Sequence, residues 1–121
     1  MDVDNLIRRA LAEGIITADT ESGVIYWSNG KRVTPEMNRK GYLRFRIAVG
    51  GRKCHFRVHR VIYMASKGSI PKGYHIDHIN GNKQDNRIWN LQPLTDSENK
   101  RKQAQMREEN RSRPQPLLFF C

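Results

Sequence analysis

The most informative segment of this sequence is Tyr74-His75-Ile76-Asp77-His78-Ile79-Asn80-Gly81-Asn82. We predict a strand over residues 74–79, a polar loop over 81–87 and a second short strand over 90–94. Thr95 then begins a capping box with Glu98, which opens a helix that runs to about residue 110. A strand, a loop, a strand and a capped helix in this order bring polar side chains from distant positions together.

Three separated polar groups converge in this arrangement: the Asp77–His78 pair, Asn90 and Asn99. A carboxylate, an imidazole and amide oxygens can hold a divalent cation and still leave a base free. Oxygen ligands with open positions suit Mg²⁺, which keeps several waters and binds substrate phosphates. The cation would neutralise charge on phosphorus and stabilise the departing oxygen. An imidazole with an ordinary pKa of about 6.5 can take a proton from the attacking water.

The pattern resembles the HNH endonuclease family and its ββα-metal fold. The resemblance rests on Asp-His-Ile-Asn-Gly-Asn at 77–82, Asp-Asn-Arg at 85–87, Asn-Leu at 90–91 and Glu-Asn at 98–99. Residues 21–27, Gly41-Tyr42 and His59-Arg60 are also similar to the beginnings of small bacteriophage and intron-encoded HNH proteins. The likeness therefore spans residues 16–103, and its specificity comes from the order and spacing of the motifs.

The resemblance implies a role for each of four side chains. Asp77 would bind the metal, and His78 would be the general base that activates water. Asn90 would orient the loop and backbone that carry His78. Asn99 stands where many relatives have histidine as the second metal ligand. An amide there favours Mg²⁺, with Mn²⁺ as a substitute, over Zn²⁺, because imidazole suits zinc better.

Strand alternation leaves a second candidate for the base. Adjacent residues of a regular strand point to opposite faces. Asp77 and His78 therefore act on one phosphate only if the strand ends or bulges there. His75 shares a face with Asp77 and is the competing base, although the family pattern favours His78. We expect His59 to pack or hydrogen-bond near this strand, with a contact to phosphate as the alternative.

The chain before residue 69 predicts a helix, a small antiparallel sheet and a connecting helix. The first helix has Asp4 as its N-cap and Gly14 as its stop. Strand patterns cover residues 23–27, 41–49 and 53–59, with Gly50-Gly51 forming a hairpin between the last two. A helical stripe follows from Val58 to Lys67. The fold class is α+β, with the sheet and helices in residues 1–68, the ββα-metal unit in 69–110 and a flexible tail in 111–121.

Positive charge is concentrated after residue 30. The net charge is 22 − 12 = +10, of which residues 1–30 contribute 2 − 5 = −3 and residues 31–121 contribute 20 − 7 = +13. Such basicity favours a nucleic-acid partner. The polar sheet face is alternatively just the solvated side of a half-buried sheet. The predicted DNA contacts are Arg44, Arg46 and Arg57 on the sheet and Lys100, Arg101, Lys102 and Arg107 on the last helix.

Other features exclude several classes of protein. Two cysteines are too few for a four-thiolate zinc site or a disulfide framework, which favours a reducing compartment. The N-terminus lacks the pattern of a secretory signal, and the apolar run at 117–121 is too short to cross a bilayer. We therefore predict a protein of the cytoplasm, that of the host cell if a phage encodes it, with neither a membrane nor a protein partner indicated.

These observations predict a divalent-metal-dependent endonuclease acting on duplex DNA. The resemblance implies 5′-phosphate and 3′-hydroxyl products. One site per chain favours nicking by a monomer, and a weak homodimer is the alternative that would cut both strands. Two other classes remain open. One is a DNA-binding or regulatory module with a vestigial site, and the other is an RNA-binding protein, although the aromatic motifs of an RNA-recognition sheet are lacking.

Overall fold

A computed structural model describes residues 3–112 of the protein, with side chains described as far as residue 105. Within that part of the chain, short strands alternate with three helices and a single 3₁₀ turn at Ile88–Asn90. The elements are α1 (Val3–Ala12), β1 (Ile16–Asp19), β2 (Val24–Trp27), β3 (Glu36–Met37), β4 (Leu43–Val49), β5 (Arg52–Arg57), α2 (Val58–Lys67), β6 (Tyr74–His78), β7 (Leu91–Thr95) and α3 (Asp96–Ser112).

The strands form three small antiparallel sheets. They are the β1–β2 hairpin, the three-stranded sheet β3-β4-β5, and the β6–β7 hairpin. The strand predicted at 23–27 pairs with β1 rather than with the following hairpin. The mixture of helices and small antiparallel sheets confirms the α+β prediction, although the sheet upstream of residue 69 is divided in two.

The β4–β5 hairpin has the predicted turn and faces. Gly50 and Gly51 both have positive φ angles, of 58° and 80°, which a glycine adopts without strain. The register pairs Phe45 with Phe56 and Arg46 with His55. Both phenylalanines are buried, whereas Arg46 and His55 are exposed. Alternation thus leaves one face of the sheet in the core and the other in solvent.

Helix α2 lies at the centre of the molecule and contacts β1, β2, β4, β5, β6 and the 3₁₀ turn. Ile76 and Leu91 of the β6–β7 hairpin belong to the same hydrophobic core as Ile7 of α1 and Ile62 of α2. The upstream segments and the predicted ββα unit are therefore packed together. The division at residue 69 stays a prediction.

The ends of α1 and α3 differ from the predicted ones. Asp4 lies inside the first turn of α1, and its carboxylate accepts hydrogen bonds from Arg60 Nη2 at 2.7 and 2.8 Å. This pair links α1 to α2 instead of capping α1. Helix α3 continues to Ser112, so residues 111–112 are helical, and the remainder of the predicted tail lies outside the described residues.

The start of α3 is capped as predicted. The backbone N–H of Thr95 donates to Glu98 Oε1 at 2.9 Å, and the backbone N–H of Glu98 donates to Thr95 Oγ1 at 3.2 Å. The hydrogen bonds from Thr95 lower the pKa of the Glu98 carboxyl. Within residues 3–112, neither the length nor the hydropathy of any helix allows it to cross a membrane.

Candidate active site

The two central residues of the predicted site face opposite sides of the β6–β7 hairpin. Asp77 stands opposite Gln92, and His78 stands opposite Leu91, in a regular register without a bulge. The Asp77 side chain is 14% exposed, whereas His78 is 3% exposed. Strand β6 ends at His78, so the backbone turns away directly after the pair.

The imidazole of His78 is held by a buried amide. Its Nε2 lies 2.7 Å from Oδ1 of Asn86, a residue that is itself buried. Because an amide oxygen only accepts, this contact places the imidazole proton on Nε2 and leaves Nδ1 as the basic nitrogen. Asn86 belongs to the Asp-Asn-Arg motif at 85–87, but the sequence offered no role for it.

His78 belongs to a cluster of three rings with His59 and Tyr42. The ring centroids of His59 and His78 are 5.1 Å apart, and Tyr42 lies 5.2 Å from His59 and 5.9 Å from His78. Within the described residues, Nδ1 of His59 is buried and has no hydrogen-bond partner. The structure thus places His59 directly against the predicted base.

Both histidines of this cluster are electrically neutral at neutral pH. Burial lowers the pKa of His59 to about 3, and this effect is reinforced by repulsion from His78 once that ring is protonated and from the charges of Arg57 and Arg60. Burial also lowers the pKa of His78, and this effect exceeds the opposing influence of the Asn86 hydrogen bond and the Asp77 charge. An unprotonated imidazole is the form that can accept a proton from water.

The Asp77 carboxylate lies in a polar setting. Its Oδ2 accepts a hydrogen bond from Gln92 Nε2 at 3.0 Å and another from Lys102 Nζ at 2.5 Å. The same ammonium donates to the backbone oxygens of His78 at 2.8 Å and Ile79 at 3.2 Å. Lys102, predicted as a DNA contact, here makes its bonds to the end of β6.

Asn99 lies in α3, the helix whose Lys102 contacts the end of β6. It precedes Lys102 by three residues, which places the two side chains on the same side of the helix. Asn99 is half-buried. Among the described residues, no group of three or more His, Cys, Asp or Glu side chains is arranged to hold a metal. The candidate ligand set is therefore the carboxylate of Asp77 with the amide of Asn99, oxygen donors of the kind that Mg²⁺ prefers.

Asn90 closes the loop between the two strands of the hairpin. It is fully buried, and its Oδ1 accepts a hydrogen bond from the backbone N–H of Asn80 at 3.0 Å. Its Nδ2 donates to Asn80 Oδ1 at 3.0 Å and to the backbone oxygen of Asp85 at 2.9 Å. These bonds fix residues 79–90 and, with them, the chain that follows His78.

The competing base, His75, is exposed and lies away from the ring cluster. Its Nε2 is 2.8 Å from Oδ1 of Asp96, the first residue of α3. As the alternation predicts, His75 and Asp77 lie on the same side of β6. His75 thus occupies the solvated side of the hairpin.

The basic surfaces flank the site on two elements. On the sheet, Arg46 and Arg57 are exposed, and Arg44 is half-buried with its Nε 3.6 Å from Glu36 of β3. On α3, Lys100 and Arg101 are exposed, while the side chain of Arg107 lies outside the described residues.

Two cationic side chains lie over the ring of Tyr42, which belongs to the ring cluster. The distance to the ring centroid is 5.8 Å for Arg57 and 4.9 Å for Lys83. Lys83 was not singled out from the sequence.

Comparison with known proteins identifies the segment that carries these residues. Residues 56–101 match the family model of the HNH endonucleases. Over this segment the chain is similar to the HNH endonucleases, and we call the segment the HNH domain. The HNH domain contains His59, Asp77, His78, Asn90 and Asn99, and the resemblance predicted from the motifs is confirmed. HNH endonucleases use divalent metal ions.

Two further proteins are similar to this chain. Over 49 residues the chain is 45% identical to the uncharacterized gene 5.3 protein of Enterobacteria phage T3, a match covering 39% of this chain and 48% of that protein. The chain also resembles the HNH homing endonuclease I-HmuI, solved in a study of DNA binding and cleavage, with a TM-score of 0.68 and 28% identity. That match covers 77% of this chain and 53% of the other. The chain thus spans about half the length of each relative.

Proposed function

We propose that this chain is a divalent-metal-dependent endonuclease that nicks duplex DNA and leaves 5′-phosphate and 3′-hydroxyl ends. One observation carries the proposal. Inside an HNH domain, a neutral, buried imidazole and a partly exposed carboxylate occupy consecutive positions at the end of one strand. The neutral imidazole can accept a proton from water, and the carboxylate can bind a divalent cation. Metal-dependent hydrolysis of a phosphodiester needs both groups.

Each residue of the site has a separate role in the proposed reaction. Nδ1 of His78 accepts the proton of the attacking water, while Asn86 holds the ring through Nε2. Asn90 fixes the loop and the backbone after His78. Asp77 and Asn99 would hold Mg²⁺, or Mn²⁺ in its place. When bound, the ion supplies charge neutralisation at the phosphate and at the departing oxygen.

The proposed substrate follows from charge and from the relatives. Residues 31–121 carry a net charge of +13. Exposed basic side chains lie both on the β3-β4-β5 sheet and on α3. Cations at such positions contact phosphates without regard to base sequence. Similarity to a homing endonuclease studied for DNA binding and cleavage supports DNA as the substrate. Similarity to a phage protein supports action in the cytoplasm of a host cell. One site per chain supports the monomer as the acting form.

A plasmid assay tests this proposal. Supercoiled plasmid is incubated with the full chain in Mg²⁺, Mn²⁺, Zn²⁺ or EDTA, in parallel with Asp77→Ala. We expect open-circular product with Mg²⁺ or Mn²⁺ and none with EDTA, and a loss of rate of at least about 100-fold in Asp77→Ala. Absence of nicking in every metal, or an Asp77→Ala protein that nicks at the wild-type rate, contradicts the proposal.

A DNA-binding or regulatory module with a vestigial site is the second candidate. The ion pair between Lys102 and Asp77 favours it, because the carboxylate is then neutralised within the protein. Such a module would retard duplex DNA in a gel and leave the plasmid supercoiled in all three metals. Competition between duplex DNA and RNA in the same binding assay distinguishes both candidates from an RNA-binding protein.

A further inference from the structure

The end of β6 forms a cradle of oxygen atoms around one ammonium group. Lys102 Nζ lies 2.5 Å from Oδ2 of Asp77, 2.8 Å from the backbone oxygen of His78 and 3.2 Å from that of Ile79. An ammonium has three N–H donors, and the cradle offers one acceptor to each. The Lys102 side chain is only 22% exposed. The protein thus supplies a cation of its own to the carboxylate predicted to hold the metal.

The position of this lysine on α3 is specific. Lys100 and Arg101 precede it directly and are exposed, whereas Lys102 turns inwards on the same side of the helix as Asn99. The predicted second metal ligand and the lysine therefore share one face of α3. Since Gln92 also donates to Oδ2, this oxygen is already fully engaged.

We propose that Lys102 competes with the divalent metal ion for the carboxylate of Asp77 and so weakens the metal affinity of the site. The inference rests on the proposed function. An ammonium bonded to Oδ2 repels a divalent cation that approaches either oxygen of the same carboxylate. The site therefore binds metal less tightly than its own oxygen ligands would allow, and metal binding favours departure of the Lys102 ammonium from Oδ2.

Metal binding without DNA tests this directly. Free Mn²⁺ is measured by electron paramagnetic resonance while wild type, Lys102→Met and Lys100→Met are titrated at 0.15 M salt. Met keeps the apolar stem and removes the charge. We expect Lys102→Met to bind Mn²⁺ about tenfold more tightly than wild type, in the range that groups around a metal site contribute. Lys100→Met removes one equivalent but solvated charge, and we expect a change of less than about twofold because salt screens it.

A lysine that only tethers α3 to β6 gives a different result. In that case Lys102→Met lowers the unfolding temperature in EDTA and leaves the Mn²⁺ affinity at the Lys100→Met level, which would overturn the inference. Competition instead predicts that Mn²⁺ raises the unfolding temperature of Lys102→Met more than that of wild type, by mass action. Lys102→Arg, which keeps the charge, should bind Mn²⁺ more weakly than Lys102→Met.

Asp77→Asn separates a failure of this inference from a failure of the proposed function. If wild type binds Mn²⁺ more tightly than Asp77→Asn, but Lys102→Met binds no more tightly than wild type, only the competition is wrong. If wild type and Lys102→Met both bind Mn²⁺ no better than Asp77→Asn, the metal site itself is absent, and the proposed function falls with it.

Discussion

The two sides of strand β6 provide opposite environments within a single residue step. On one side, His78 lies buried among Tyr42, His59 and the amide of Asn86. On the other side, Asp77 is partly exposed and receives hydrogen bonds from Gln92 and Lys102. Strand alternation thus places the proposed base in a buried pocket and the proposed metal ligand in a charged, partly exposed one.

This separation matters because each environment favours one protonation state. A carboxylate close to an imidazole raises its pKa, while burial lowers it. At His78 burial is the larger effect, despite the charges of Asp77 and Asp85, so the imidazole stays neutral. We call these two environments the imidazole side and the carboxylate side of β6.

The largest effect should come from the choice of base. We expect His78→Ala to lower the nicking rate about 10²- to 10⁴-fold, as removal of a general base does. His75→Ala removes the exposed imidazole on the carboxylate side and should lower the rate by less than about tenfold. Plasmid nicking in Mg²⁺ measures both, and gel retardation should show that both variants still bind duplex DNA. A His75→Ala protein that loses cleavage while His78→Ala keeps it would reverse the assignment.

Two asparagines distinguish support of the fold from support of the metal. Asn90→Ala leaves the Asn80 N–H and the Asp85 carbonyl without partners in a buried site. We expect it to lower the free energy of unfolding by about 3 kcal/mol. Asn99→Ala changes a half-buried residue and should lower the free energy of unfolding by less than about 1 kcal/mol. The same variant should weaken Mn²⁺ binding. Urea unfolding and Mn²⁺ titration measure the two effects. An Asn90→Ala protein that is more stable than Asn99→Ala would contradict the structural role of Asn90.

Asn86 allows a finer test of the imidazole side. Asn86→Ala removes the acceptor that fixes the His78 tautomer, and we expect the nicking rate to fall about 10- to 100-fold. Asn86→Asp restores an acceptor at the same place and should recover part of the rate. If alanine and aspartate reduce the rate equally, the amide fills space and does not orient the ring.

Much of this architecture could be predicted from local patterns. The β4–β5 hairpin followed from seven alternating residues and two glycines, and the capped start of α3 followed from Thr95 and Glu98. β1 and β3 are only four and two residues long, and both residues of β3 are exposed, so no hydrophobic period marks them. Such short strands are defined by their partners, which lie elsewhere in the chain.

The sequence predicts candidate members of the site, but it does not predict their contacts. Motif spacing singled out Asp77, His78, Asn90 and Asn99. Strand alternation raised the objection that Asp77 and His78 act on one phosphate only if the strand ends or bulges there, and β6 does end at His78. The roles of Asn86 and Lys102 depend on how residues 79–90 fold back and on the rotation of α3. Neither is a local property. A lysine among basic neighbours on a helix is normally solvated, and only the tertiary structure shows oxygen atoms around this one.

The buried ring next to His78 should make stability depend on pH. An unfolded chain protonates His59 below a pKa of about 6.5, whereas in the folded protein this pKa is about 3. The unfolded state therefore binds the extra proton between these values, and the free energy of unfolding falls as the pH is lowered. One such histidine contributes about 1.4 kcal/mol per pH unit.

The matched variants for this prediction are His59→Gln and His55→Gln. Urea unfolding between pH 6.5 and 5 should show a shallower slope for His59→Gln than for wild type. His55→Gln should keep the wild-type slope, because the His55 side chain stays in solvent on β5. Equal slopes in wild type and His59→Gln would mean that His59 is hydrated in solution, and the imidazole side would then be less dry than its geometry indicates.

The smallest effect concerns the basic face of the sheet, which lies outside both sides of β6. Arg46→Ala should weaken binding of duplex DNA a few-fold and reduce the slope of log K against log salt by about one. Arg8→Ala on α1 removes an equally exposed charge from the acidic first thirty residues and should leave the slope unchanged. Fluorescence anisotropy of a labelled duplex across a salt series in EDTA measures both slopes without cleavage. If both variants change the slope equally, the sheet arginines act only through net charge, and binding would then depend on the cations of α3 and the loop around Lys83.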